Sequence, residues 1–294
     1  MHFSIRHETE YRFSAPVFLE PHRVRLYPRG DAANIPHSRL LNVDPEPTTR
    51  SCVFDAQGNL VEQLWFAGLH GHLRITSEVE VATARVNPFD YLPLERAGGV
   101  PIRYHSAERE ALSACLSAPR QPTVREYADR FLAQVSPDAG VAQLLSQLNA
   151  RLSDEHRTVV RPEGAPYEPE VSLATRDLSC RDLAVLFVAL CRVLGIAARF
   201  VSGYQAGDPD QDRRDLHAWS EVYIPGGGWR GYDPTLGLAV ADEHVAVAAA
   251  ARPEDAAPVS GSFRGTGVLG EITSQIQLVA LRPPPGPPYR PPSQ

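Results

Sequence analysis

The sequence predicts an α+β protein in two parts: an N-terminal β-sandwich, then a region in which a helix carrying a cysteine packs on an antiparallel sheet. Three observations carry this. Up to about residue 95, apolar and polar residues alternate in short runs, the period of half-buried strands. From residue 106 apolar residues recur at helical spacing. Finally, Cys180, His217 and Asp233 follow one another in segments whose patterns explain why each residue type stands there.

The strand-like runs are residues 3–13, 24–27, 51–54, 60–66 and 73–81, with Asp55-Ala56-Gln57-Gly58-Asn59 a turn between two of them. Residues 1–95 are therefore expected to form the sandwich. His70 and His72 stand two apart, on one face of a strand. A third ligand is not near them, so they read as structural and no metal is expected. Within residues 96–270, Thr123 and Glu126 read as a capping box ahead of Tyr127, Phe131 and Val135. Ser136-Pro137 is expected to open another helix, with Val141, Leu144, Leu145, Leu148 and Leu152 on one face. A further helix begins at Ser179-Cys180-Arg181-Asp182 and keeps its spacing through Leu183, Leu186, Phe187, Leu190 and Leu194 until Gly195 stops it. Residues 216–224 alternate as a strand. Pro225-Gly226-Gly227-Gly228 then turns the chain into Trp229-Arg230-Gly231-Tyr232-Asp233-Pro234, so the two segments pair as a hairpin. Asp208-Pro209-Asp210-Gln211-Asp212 resembles the start of a calcium loop, but Arg213 stands where the loop needs glycine and Trp219 where it needs the last glutamate. It reads as a solvated loop, and no cofactor is expected. Residues 271–281 form a C-terminal strand, and the Pro-rich residues 282–294 an extended, disordered tail.

Composition narrows the function. At 294 residues the chain is long enough for two cores, and its 43% hydrophobic and 22% charged residues are those of a globular protein. A net charge of −6 and the lack of a basic stripe exclude nucleic acid as the main partner. The first eight residues are strand-like, and no segment approaches membrane-spanning length, so no membrane is involved and the cytoplasm is the expected address. Four cysteines at scattered positions suit a reducing compartment. Every one of the 29 basic residues is arginine. If such a chain joined glutamine to lysine, it would not be its own lysine donor.

The chemistry rests on Cys180. At a helix N-terminus, unpaired backbone N–H groups and the positive end of the dipole favour a thiolate, and the same N–H groups can bond the oxyanion formed when it attacks an acyl carbon. His217 follows 37 residues later and Asp233 another 16. Counting back across the turn puts Asp233 opposite residue 219 or 220, one diagonal step of roughly 7–8 Å from His217. Thiol nucleophile, base and orienting carboxylate are thus assembled by helix start, strand and hairpin partner. Each alone has a plainer reading: a buried free cysteine, as for Cys52, Cys115 and Cys191, a structural histidine, or an Asp-Pro turn. Trp219 and Tyr204 are the residues expected to line an acyl-group channel.

Cys180-Arg181-Asp182-Leu183-Ala184, Leu194 to Tyr204, Asp215-Leu216-His217-Ala218-Trp219 and Gly231-Tyr232-Asp233-Pro234-Thr235 closely resemble the bacterial transglutaminase-like superfamily. The resemblance continues through His244 to Pro258-Val259-Ser260-Gly261, and reaches back to Gly58-Asn59 and Val86-Asn87-Pro88-Phe89-Asp90 in the N-terminal β domain typical of these proteins. It implies a papain-like core with a Cys-His-Asp triad, shared by protein-crosslinking transglutaminases, peptide N-glycanases and bacterial peptidases or amidases. The fold fixes thioester chemistry on a protein or peptide substrate, and leaves open whether water or an amine takes the acyl group. It also carries two alternatives: a non-catalytic binding or assembly module, and an accessory partner of a peptide-ligase system. Relatives usually have a glycine shortly before the nucleophile, where this chain has Leu178-Ser179.

Overall fold

The computed structural model describes residues 1–94, 97–207 and 214–281, so the Asp208 loop and the Pro-rich tail lie outside the described residues. Alternation at the start of the chain becomes β1 (His2–Leu19), with Phe3, Ile5, His7 and Thr9 turned inward. β2 (His22–Val24), β3 (Asn34–Asp44), β4 (Thr49–Phe54), β5 (Leu60–Trp65) and β6 (His70–Thr83) follow. The sequence gives no sign of β3. It is the edge of its sheet and exposes residues 35–40 without interruption, so no inward-outward period marks it.

The helical stretch holds α1 (Ser106–Ala111), α2 (Pro122–Leu132), α3 (Val141–Glu155), β7 (Arg157–Thr158), α4 (Pro169–Leu173), β8 (Asp177–Leu178) and α5 (Cys180–Val193). Two predicted starts are corrected. α2 begins at Pro122, with Gln121 in the N-cap position, so Thr123 lies inside its first turn; a proline at the first helical position is already set for the helix. α3 begins after Gly140, and Ser136-Pro137 belongs to a separate turn closed by the Ala139 N–H on the Ser136 carbonyl at 2.9 Å. α5 ends where predicted, with Gly195 in the left-handed region at φ 76°.

β9 (Ala198–Gln205), β10 (His217–Ile224), β11 (Gly228–Asp233), β12 (Leu238–Ala239) and β13 (His244–Ala250) form an antiparallel sheet in the order β12-β11-β10-β9-β13. Ala184 of α5 sits against Ala218, Ala248 and Ala250, small side chains that let helix and sheet approach closely. Ser220 donates its hydroxyl to the Ala184 carbonyl across that contact at 3.0 Å. The other sides of α5 pack on α2 and α3, which leaves Leu183, Leu186, Phe187, Leu190 and Cys191 fully buried.

The end of the chain returns to its beginning. β14 (Val259–Ser260) pairs with β2, and β15 (Phe263–Arg264) and β16 (Gly270–Leu281) pair with β1. The sandwich therefore consists of a sheet with β16 and β15 on β1, then β6 and β3, facing a sheet in the order β14-β2-β5-β4. The predicted C-terminal strand is this partner of β1. Tyr204, Val245 and Val247 of β9 and β13 lie in one apolar cluster with Phe3, Ile5, Leu19 and Ile276 of the sandwich. An unsatisfied edge and an apolar face on β1 draw residues distant in sequence to it. The protein is thus richer in sheet than a helix packed on one sheet. Among the described residues no helix is long and apolar enough to cross a membrane.

Candidate active site

The β10-β11 hairpin pairs Ser220 with Tyr232, which sets Asp233 beside Trp219 and one diagonal step from His217. Gly226 takes the left-handed conformation that the turn requires, with φ 87°. His217 Nε2–H donates to Asp233 Oδ2 at 2.6 Å. Cys180 lies against the same imidazole, near enough to favour its protonated form. Cys180 is half-buried as the first residue of α5, and the Asp233 side chain is wholly enclosed. The structure thus brings the three residues together.

Electrostatics at this site favour separated charge. Burial alone would lower the basicity of His217, but the hydrogen bonds to Asp233 and Cys180 outweigh it and raise its pKa well above the usual imidazole value. Burial alone would raise the Asp233 carboxyl, but hydrogen bonds from His217 and His244 hold it well below the usual carboxylate range. An ionised carboxylate beside a protonated imidazole is the stable form of this pair.

Ser179 and Asp182 build the entrance to α5. The Asp182 Oδ2 accepts the Ser179 N–H at 2.8 Å and the Ser179 hydroxyl at 2.6 Å, closing a capping box around Cys180. Asp182 Oδ1 accepts from the Tyr167 N–H at 2.8 Å and from Arg161 at 2.5 Å, which ties the loop after β7 to the start of α5. The serine that stands in place of a glycine is therefore turned into its own helix and is 3% exposed. The Ser-x-x-Asp spacing carried that signal, which sequence reasoning missed.

Two other expectations are corrected. Tyr204 does not line a channel: it is 1% exposed, and its hydroxyl lies 3.0 Å from His7 Nδ1 in the core shared with the sandwich. Trp219 is 1% exposed as well, enclosed by Val201, Ala246 and Ala249, and stacks on His217 with centroids 6.2 Å apart. Trp219 shares its sheet face with His217, and because that face is covered its indole is a support; Tyr204 points to the other face. His70 and His72 stay apart functionally, bonding the Ala67 carbonyl and Asp44. Cys115 and Cys191 are buried, and Cys52 is exposed on β4.

Residues without a predicted role complete the site. His244, at the start of β13, places Nε2 3.0 Å from the same Asp233 Oδ2. Asn149 of α3 is fully buried and donates to the backbone carbonyls of Asp233 at 3.2 Å and Leu238 at 3.1 Å, fixing the chain as it leaves β11. Nothing in the period of α3 distinguishes Asn149 from a tolerated polar residue.

Comparison with known proteins agrees with this architecture. Residues 125–234 match the family model of the transglutaminase-like superfamily, and residues 3–82 match that of the bacterial transglutaminase-like N-terminal region. An uncharacterized protein of Mycobacterium tuberculosis is 29% identical over 94% of this chain and 92% of its own length. A protein-glutamine gamma-glutamyltransferase of Pseudomonas aeruginosa is 32% identical over 40% of this chain and 19% of its own length. A solved structure from Cytophaga hutchinsonii, described as a candidate cysteine protease, superposes with a TM-score of 0.70 at 18% identity, over 95% of this chain and 98% of that one, and so shares its fold. With residues 3–82 and 125–234 matched, the chain belongs to the transglutaminase-like superfamily and carries the N-terminal region of its bacterial members.

Proposed function

We propose that the protein is a thiol-dependent acyl-transfer enzyme that cleaves a carboxamide or peptide bond through a thioester on Cys180. The observation that carries this reading is His217 bonded through Nε2 to Asp233 Oδ2 at 2.6 Å, with Cys180 at the start of α5 beside the same ring. In the proposed step the Cys180 thiolate attacks the carbonyl carbon. The oxyanion that forms is bonded by backbone N–H groups at the very start of α5, ahead of Asp182, whose own N–H is taken by Ser179 at 3.0 Å. The C–N bond then breaks, and His217 passes its Nδ1 proton to the departing amine. Water next attacks the thioester while His217 takes its proton, releasing the acid and restoring the thiolate. Asp233 supports the imidazolium throughout.

Hydrolysis is favoured over amine transfer for a physical reason. Water is present at about 55 M, so an amine succeeds only if it is bound and held in line, as positioning worth an effective molarity of about 10⁵ M can do. The acidic residue on the His217 strand that such an amine would need, Glu221, is already bonded to Arg199 at 2.6 Å. The likeness to the gamma-glutamyltransferase supports the second reading, transamidation. The deciding experiment offers a glutamine-containing peptide with a fluorescent primary amine and measures both products, with and without EDTA. We expect hydrolysis to exceed amine incorporation at millimolar amine, to survive EDTA, and to vanish in Cys180→Ala. Amine incorporation in excess would make the protein a transglutaminase, and loss in EDTA restored by calcium would bring a metal into the reaction.

A further inference from the structure

We propose that His244 is a positioning residue of this site, fixing the Asp233 carboxylate so that His217 presents Nδ1 to Cys180. The proposal rests on the triad reading above. Asp233 is bonded from three directions: Oδ2 accepts from His217 at 2.6 Å and from His244 at 3.0 Å, and Oδ1 accepts the Thr235 N–H at 2.9 Å. The terminal torsion of an aspartate is broad and nearly two-fold. A carboxylate bonded only to the imidazole it must orient would rock together with it. His244 removes that freedom from outside the hairpin that carries both other groups, because it stands on β13, which pairs with β9 at Gln205.

The ring has no other polar task. Among the described residues His244 Nδ1 is buried without a hydrogen-bond partner, so the bond to Asp233 is the one polar contact its buried ring makes. Trp219 holds its angle, meeting it edge-on at 5.2 Å and 75° while stacking on His217 at 28°. The three acceptor and donor atoms of His217, Asp233 and His244 lie within 4.8 Å of one another, a set that also suggests a metal. The spacing decides against it. Ligand atoms about 2.0 Å from a tetrahedral ion sit roughly 3.3 Å apart, whereas these nitrogens approach the oxygen to 2.6 and 3.0 Å.

The test is the rate of Cys180 alkylation by iodoacetamide at about pH 6.5, which needs no knowledge of the substrate. His244→Phe keeps a ring but removes the donor, and His244→Gln returns an N–H at similar reach. We expect His244→Phe to slow alkylation about tenfold, the effect of losing one hydrogen bond to a charged group. His244→Gln should recover most of that rate. In an Asp233→Ala background, adding His244→Phe should change little, since the effect passes through the carboxylate. Wild-type rates in His244→Phe, no recovery in a folded His244→Gln, or an equal loss without Asp233 would each overturn the proposal. NMR of the unmutated protein gives a second measurement: exchange-protected Nε2–H signals assigned to both His217 and His244 are expected, and the lack of one from His244 would overturn it. If Cys180 is no more reactive than the other thiols in the wild type, the triad reading falls too, whereas a reactive Cys180 indifferent to His244 sinks this proposal alone.

Discussion

Cys180 differs from the three other cysteines in its surroundings. Cys115 and Cys191 are buried among apolar side chains, and burial pushes both thiols up; Cys52, also pushed up by burial and by Glu62, has no imidazole beside it. In the folded protein iodoacetamide at about pH 6 should therefore label Cys180 first, read by peptide mass spectrometry, and equal labelling of all four would remove the basis for the mechanism. Asp233→Ala should lower kcat by about 10³–10⁴, the scale on which triad carboxylates act, with KM little changed. At this scale the placing of Cys180, His217 and Asp233 was legible because each has a local reason visible in the chain: an apolar helical run after Cys180, alternation around His217, and a glycine turn before Asp233. His244 was not, because its reason lies 11 residues away across a sheet order that only the fold supplies.

The start of α5 is the element on which the proposed mechanism depends. Ser179→Ala removes one half of a capping box and should cost about 1 kcal/mol. Asp182→Ala also strips Arg161 of a fully enclosed partner, so a larger loss is expected, about 3–5 kcal/mol, the scale for removing one side of a buried ion pair. Urea melts of both variants check the order; equal losses would mean that the Arg161 contact stabilises nothing. Long, periodic elements such as α5 and the β10-β11 hairpin could be read from sequence, because period and turn chemistry agree there. The starts of α2 and α3 could not be placed as well, since Thr123 and Ser136 have the chemistry of caps but Pro122 and Gly140 are what the backbone uses. β3 and α4 escaped for want of any apolar period.

At the scale of the whole molecule, His7 joins three regions. Its Nδ1 meets Tyr204 of β9 at 3.0 Å and its Nε2 meets Ser274 of β16 at 3.0 Å, inside the core. Burial pushes its pKa down to about 4. A histidine kept neutral by the fold supports stability above its unfolded value of about 6.5, and that support is lost as pH falls from there towards the folded value, because the unfolded chain takes up the proton first. Wild-type melting temperature should therefore drop between about pH 6.5 and 4 more steeply than that of His7→Gln; parallel curves would place the acid sensitivity elsewhere. Few sequence signals reach this scale, since β1 and β16 stand at opposite ends of the chain and nothing local says they pair. That pairing, Phe3 with Ala280 and Tyr11 with Ile272, imposes an order on synthesis. A nascent chain that has already made Cys180, His217 and Asp233 still carries β1 with one side unpaired, a ready template for a strand of another molecule. The sandwich closes only when the last strand arrives, so the window in which this protein can associate wrongly stays open until almost all of the described chain has been made.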